Sequence, residues 1–199
     1  MFCFQCQETS RGRGCTATGM CGKQPPVAAQ MDMLMFVCRG SSIITTAMRH
    51  MHQPVEKEVD DFLLDALFTT ITNANFDEAA LSQKLRRGFS LRNRLLEEAE
   101  RDGISVPKAD EVEWCEGSSC SLCGSERSVS SLERYPEKAR QAGVLRTEDE
   151  DRRSLTELIT YGLKGMAAYM HHARNLKYDD ASVNAFIQRA PSPCRTPPS

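Results

Sequence analysis

Four cysteines fall within the first 21 residues and follow the pattern C-x2-C-x8-C-x5-C. The segment that carries them is rich in Gly, Thr and polar residues, which favours an irregular loop over a helix or a strand. Thiolates are soft ligands that suit zinc, copper(I) and iron–sulfur clusters. Free thiols packed as small hydrophobes would need apolar neighbours, which this segment lacks. The pattern therefore predicts a loop wound around a metal centre, with four ligands: Cys3, Cys6, Cys15 and Cys21.

The spacing of these cysteines favours an iron–sulfur cluster over zinc. Structural zinc sites often pair two CxxC units, and only Cys3 and Cys6 form one here. Glycines flank the later cysteines, and glycine lets backbone N–H groups approach cluster sulfurs. Four thiolates meet the ligand count of a [4Fe–4S] or a [2Fe–2S] cluster. Zinc remains the alternative.

Composition excludes several classes of protein. The 199 residues carry a formal net charge of −2, so no general attraction to nucleic acid or to anionic membranes is expected. No run of about 18 apolar residues predicts a membrane span, and no signal peptide precedes Cys3. An odd count of nine cysteines is more typical of metal binding in a reducing compartment than of structural disulfides. We therefore expect a cytoplasmic protein.

Apolar periodicity predicts helices and no convincing strand. We expect a cluster-binding loop over residues 1–26, a first helical bundle over 27–102, a loop or insertion over 103–135, a second helical part over 136–190 and a disordered Pro-rich tail over 191–199. Within these parts the expected helices cover about 27–52, 55–72, 75–101, 136–142, 147 onward and 179–189. The predicted fold is all-α, with antiparallel helical bundles behind an N-terminal cysteine-rich loop.

Local signals refine two of these helices. Asn75 with Glu78, and Thr147 with Glu150, match capping boxes at helix starts. The helix that follows Thr147 carries apolar residues at helical spacing: Leu155, Leu158, Ile159, Leu163, Met166, Ala167 and Met170. Two glycines inside it, Gly162 and Gly165, would let another helix approach closely, although tolerated glycines explain them equally well.

Other candidate ligands are weaker. Cys115, Cys120 and Cys123 have the first-three spacing of a plant-type ferredoxin, but nothing places Cys38 or Cys194 as the fourth ligand, so a variable loop is the preferred interpretation. Neighbouring histidines on a helix point about 100° apart per residue and do not share a metal face easily. That argument sets aside two pairs: His50 with His52, and His171 with His172.

Several segments together resemble the N-terminal region of the hybrid cluster protein family, also called prismane protein or hydroxylamine reductase. They are MFCFQCQET, GCTATGMCGK, RSLTELITYGLKGMAAYMHHA and DDASVNAFI. The resemblance covers most of residues 1–190. It implies a helical region that binds a [4Fe–4S] cluster, or in some members a [2Fe–2S] cluster, through Cys3, Cys6, Cys15 and Cys21, and the short gaps resemble the [4Fe–4S] type.

The resemblance also implies an activity for the full-length protein. The family reduces hydroxylamine to ammonia, and nitrogen oxides such as nitric oxide, at a hybrid iron–sulfur–oxygen cluster that lies in α/β catalytic domains absent from this chain. The chain is then the electron-transfer region of an oxidoreductase, inactive alone, and a redox partner protein supplies its electrons. Two rival hypotheses are a zinc-stabilised helical protein-interaction module and a stand-alone ferredoxin-like carrier.

Overall fold

The computed structural model describes residues 1–8, 10–74, 76–114 and 135–191. Within those ranges the regular structure is helical and contains no strand, which confirms the all-α prediction. The described residues form seven α-helices: α1 Pro25–His50, α2 Lys57–Ile71, α3 Glu78–Arg101, α4 Asp110–Glu113, α5 Tyr135–Ala142, α6 Glu150–Asn175 and α7 Ala181–Arg189. Short 3-10 helices lie at Ser10–Gly12 and Val144–Arg146.

Helix α1 is the centre of the molecule. It packs against five other helices: α2, α3, α4, α5 and α7. Its length and composition would let it cross a membrane, which the sequence analysis did not anticipate, but 89% of its most apolar 18-residue window is buried inside the protein. A long, mostly apolar helix that its neighbours cover is a core helix.

Two glycines allow α1 and α3 to approach their neighbours closely. A Cβ atom at Gly40 of α1 would overlap the Glu111 carbonyl of α4. A Cβ atom at Gly88 of α3 would overlap the Phe62 ring of α2. The main apolar core lies between these helices, and its largest fully buried apolar side chains include Phe36 and Phe62.

Aspartates cap three helices, and two predicted N-caps were wrong. Asp77 caps α3 in place of Asn75, which lies outside the described residues, and Asp149 caps α6 in place of Thr147. In each case the aspartate next to the first helical residue accepts backbone N–H groups of the first turn. Asp180 caps α7 in the same way. The short side chain of aspartate accepts hydrogen bonds from free N–H groups, and its negative charge is stabilised by the positive end of the helix dipole.

The inner face of α6 differs from the predicted apolar face. Leu163 and Ala167 are buried, with Met166 and Met170 packed beside them. In the first half of the helix, however, three apolar residues are exposed: Leu155, Leu158 and Ile159. Polar residues occupy the inward positions instead: Glu157, Thr160 and Lys164. Gly162 and Gly165 have open space where a Cβ would lie, so no helix approaches them in the described part of the chain.

The remaining segments are covered only in part. Helix α4 lies inside the predicted loop 103–135, and α5 begins one residue before the predicted start of the short helix. The three cysteines Cys115, Cys120 and Cys123, and the tail from residue 192 onward, lie outside the described residues.

Candidate metal centre

In the cysteine loop, residues 1–24, the described residues are irregular apart from the 3-10 turn Ser10–Gly12. Gly12, Gly14 and Gly22 adopt left-handed backbone conformations with φ of 67°, 65° and 90°, which side chains of L-residues rarely allow. The backbone N–H of Phe2 donates to the carbonyl of Cys15 at 2.9 Å. That bond joins the start of the loop to its middle and holds the first and third cysteines on neighbouring stretches of chain.

The four cysteines differ in burial. Cys3 and Cys15 are buried and pack together on Ala28 of α1, whereas Cys6 is half-buried and Cys21 is exposed. Among the residues that the structure describes, no three His, Cys, Asp or Glu side chains converge closely enough to hold a metal ion. The structure therefore brings Cys3 and Cys15 together and leaves Cys21 at the edge of the same loop.

The surroundings of Cys3 act on its thiol in opposite directions. Burial raises the pKa of Cys3 above its ordinary value, while a hydrogen bond from the backbone N–H of Gln5 and the nearby charge of Lys23 lower it. Metal binding requires a thiolate, so the thiol of Cys3 must lose its proton when a metal binds to it. The Gln5 N–H and the Lys23 ammonium are the groups that favour the thiolate.

Helix α6 holds the backbone between Cys3 and Cys6. The hydroxyl of Tyr161 lies 3.1 Å from the Phe4 carbonyl and 3.3 Å from the Cys6 carbonyl, and the two carbonyls share its one hydrogen. Burial raises the pKa of Tyr161 to about 12, which keeps the phenol protonated as a donor. One turn later, Lys164 Nζ donates to the Gln5 carbonyl at 3.0 Å and to Gln5 Oε1 at 2.8 Å.

A buried polar seam continues from Gln5 towards α1. Gln5 Nε2 donates to Asp32 Oδ1 at 2.5 Å. Burial raises the pKa of Asp32 to about 7 and lowers that of Lys164 to about 8. An ion pair between Arg39 and Glu157, 3.3 Å long, lies further along the same two helices. A cavity of about 10 Å³, roughly the size that one water needs, lies between these side chains.

Lys23 is a second buried cation beside the loop. Its side chain is only 1% exposed, and Nζ donates to Asn73 Oδ1 at 3.0 Å. The Lys23 carbonyl accepts the N–H of Gly19 at 2.8 Å, which closes the turn that carries Cys21. The loop therefore has buried positive charge on two sides, from Lys23 and from Lys164.

Sequence reasoning missed the buried polar residues beneath the loop, here called the polar floor: Asp32 of α1, with Tyr161 and Lys164 of α6. Asp32 lies within the apolar run of α1, and Lys164 lies next to Leu163 on the predicted apolar face of α6. A charged residue at a helical position that periodicity assigns to the core is the signal that could have identified both, because buried charges are rare unless they are paired or functional.

Three other candidate ligands within the described residues lie in surroundings unlike those of the loop: Cys38, His171 and His172. Cys38 is fully buried in the apolar core, and burial raises its pKa to about 12. His171 stacks on the ring of Phe68 with centroids 4.0 Å apart, and His172 meets the same ring edge-on at 6.1 Å. Both histidines thus make aromatic contacts at the α2–α6 interface.

Comparisons with known proteins show the family of this chain. The family described as Prismane/CO dehydrogenase matches residues 1–198. The chain belongs to that family. Its curated relatives include proteins named hydroxylamine reductase from Bacteroides thetaiotaomicron, 47% identical over 96% of this chain, and from Parabacteroides distasonis, 45% identical over 96%. One from Clostridium botulinum is 40% identical, again over 96% of this chain. The chain spans about a third of the length of these relatives: 32%, 32% and 35%.

The donor set of the loop fits an iron–sulfur cluster of the kind that this family carries. It offers four soft thiol ligands on one short segment. The backbone N–H of Gln5 favours the thiolate form of Cys3, and N–H groups that act on ligand sulfurs are a common feature of cluster sites. Lys23 and Lys164 place buried ammonium groups beside the loop. Such groups attract an anionic metal–thiolate group and repel a dication held by neutral ligands.

Proposed function

We propose that this chain is the electron-transfer region of a hydroxylamine reductase of the hybrid cluster type, acting in the cytoplasm. Cys3, Cys6, Cys15 and Cys21 would hold a [4Fe–4S] cluster, which supplies one-electron transfer when bound. The observation that carries the proposal is the four-cysteine loop, folded over buried lysines, in a chain that matches about a third of hydroxylamine reductase.

The chain's own residues have three tasks in this proposal. The cysteine loop ligates and partly buries the group, with Cys3 and Cys15 on the inside and Cys21 on the outside. Tyr161 and Lys164 hold the backbone of the C-x2-C segment through its carbonyls. The exposed edge at Cys21 gives a redox partner protein the closest approach to the loop.

The activity belongs to the full-length protein. Hydroxylamine reduction consumes two electrons and two protons and yields ammonia and water, and it needs a metal site with an open position for the substrate. A cluster whose four irons all carry thiolates offers no such position. We therefore expect this 199-residue chain to accept electrons from dithionite and to form no ammonia from hydroxylamine.

The test is anaerobic purification followed by iron, sulfide and zinc analysis with electron paramagnetic resonance. We expect a brown protein with about four irons per chain. A colourless protein with one zinc would instead support the zinc-stabilised interaction module. An ammonia assay with a reduced dye compares this chain with a full-length relative, which should be active. Comparable turnover by the short chain would contradict the proposed division of labour.

A further inference from the structure

One face of α6 holds three consecutive carbonyl groups of the C-x2-C segment, those of Phe4, Gln5 and Cys6. The single O–H of Tyr161 is shared between the carbonyls of Phe4 and Cys6, at 3.1 and 3.3 Å, and Lys164 donates to the carbonyl of Gln5 at 3.0 Å. Residues three apart on a helix lie on the same face, so the two side chains reach the loop together. The backbone of the C-x2-C segment is therefore fixed by α6, which is about 155 residues away in the sequence.

Lys164 brings a buried charge to this contact. Its side chain is 1% exposed, and in the described ranges no carboxylate lies within the 4 Å of an ion pair with Nζ. Asp32 is reached only through the amide of Gln5. A buried ammonium without a contacting anion is costly, and it persists where nearby negative charge compensates it.

The cysteine loop would supply that negative charge when it carries a cluster. A [4Fe–4S] core with four thiolates is anionic, and it becomes more so by one charge when it accepts an electron. A fixed cation stabilises the reduced form more than the oxidised form, because its Coulomb attraction grows with the charge. The effect is strong in a buried site, where water screens it poorly.

We infer that Lys164, together with Tyr161, is a positioning residue for the Cys3–Cys6 segment, and that its buried ammonium raises the reduction potential of the cluster. The inference rests on the proposed function for its redox half. Its positioning half concerns contacts within the protein alone. Tyr161 shares the positioning role and carries no charge, so the two residues separate the two effects.

Three variants of the chain test this inference. Lys164→Met keeps the length of the side chain and removes its charge, Tyr161→Phe removes only the hydroxyl, and Lys177→Met removes an exposed lysine just after α6 as the matched control. Hydrogen–deuterium exchange of the peptide that covers residues 2–8 reports positioning. A dithionite titration followed by electron paramagnetic resonance reports the potential.

We expect exchange in residues 2–8 to become about tenfold faster in Lys164→Met and in Tyr161→Phe, the factor for loss of roughly 1.4 kcal/mol of hydrogen bonding. Only Lys164→Met should shift the midpoint potential, to a more negative value. Lys177→Met should change neither.

Each contrary result has a distinct meaning. An unchanged potential in cluster-loaded Lys164→Met would overturn the electrostatic half, and unchanged exchange in both α6 variants would overturn the positioning half. A wild-type chain without iron would overturn the proposed function, and with it the electrostatic half. The exchange experiment on metal-free protein would still decide whether Lys164 and Tyr161 hold the loop.

Discussion

The molecule buries cysteines in two regions of opposite character. Cys38 lies in the middle of α1, within an apolar core that includes Phe36 and Phe62, and burial raises its pKa to about 12. Cys3 is also buried, and burial raises its pKa as well, but the N–H of Gln5 and the charge of Lys23 act in the opposite direction.

The difference shows that burial alone does not decide what a cysteine can do. A metal ligand must lose its proton, and a thiolate is stable only where N–H dipoles or cations compensate its charge. At Cys3 the loop supplies both a backbone N–H and a cation, whereas at Cys38 the charges of Arg39 and Lys164 lower the pKa but do not offset burial. The core around Cys38 packs sulfur as a small hydrophobe, with no other cysteine nearby in the described part of the chain.

The largest predicted effect is a loss of iron, and it tests the role of the cysteine loop in this comparison. Cys15→Ser replaces a buried sulfur atom, a soft ligand, by a hard hydroxyl oxygen. We expect the variant to lose most of its iron and its paramagnetic signal under anaerobic purification. Iron, sulfide and absorption measurements on matched preparations check this. A variant that kept about four irons per chain would show that Cys15 is not a ligand.

The fold could be predicted from the sequence because apolar periodicity dominates most of it. The helices α1, α2 and α3 bury long apolar faces, and their predicted and observed bounds differ by a few residues. The capping residues were predicted less well. Asp77 and Asp149 are the N-caps, and each lies only two residues after the residue that the capping-box pattern selects, Asn75 or Thr147. Local sequence alone does not rank such neighbours.

The candidate site could be predicted only in its outer part. The cysteine spacing identifies the loop, because the four predicted ligands lie close together in the sequence. The floor is built from Asp32 on α1 and from Tyr161 and Lys164 on α6, which meet only in the folded chain. In the sequence these residues interrupt apolar stripes. Periodicity treats such interruptions as noise, so it could not indicate their role.

The next largest predicted effect is on the pH dependence of stability, and it comes from Asp32 in the polar floor. Burial raises the pKa of Asp32 from 3.8 to about 7. Between those pH values the folded chain keeps a proton that the unfolded chain releases, so the contribution of Asp32 to stability falls as the pH rises from about 4 to 7. At about 1.4 kcal/mol per pKa unit, the loss is up to about 4 kcal/mol.

Asp32→Asn should remove this part of the pH dependence. We expect the variant to gain stability relative to the wild type as the pH rises from 4.5 to 7.5, measured by urea unfolding at several pH values. Glu100→Gln, at an exposed position of α3, is the matched control and should leave the wild-type profile unchanged. A profile of Asp32→Asn parallel to that of the wild type would mean that Asp32 ionises normally and that the floor is open to water.

The smallest effect is expected in the apolar core. Cys38→Ala removes one sulfur atom from a fully buried position and leaves a small gap among close-packed neighbours. Loss of a buried group of this size costs on the order of 1 kcal/mol, which urea unfolding can measure. The variant should keep its full iron content, because the Cys38 thiol stays protonated and lies apart from the loop. If iron were lost from Cys38→Ala while its stability stayed within that range, Cys38 would belong to the metal centre. The contrast between a core thiol and a loop thiolate would then not hold.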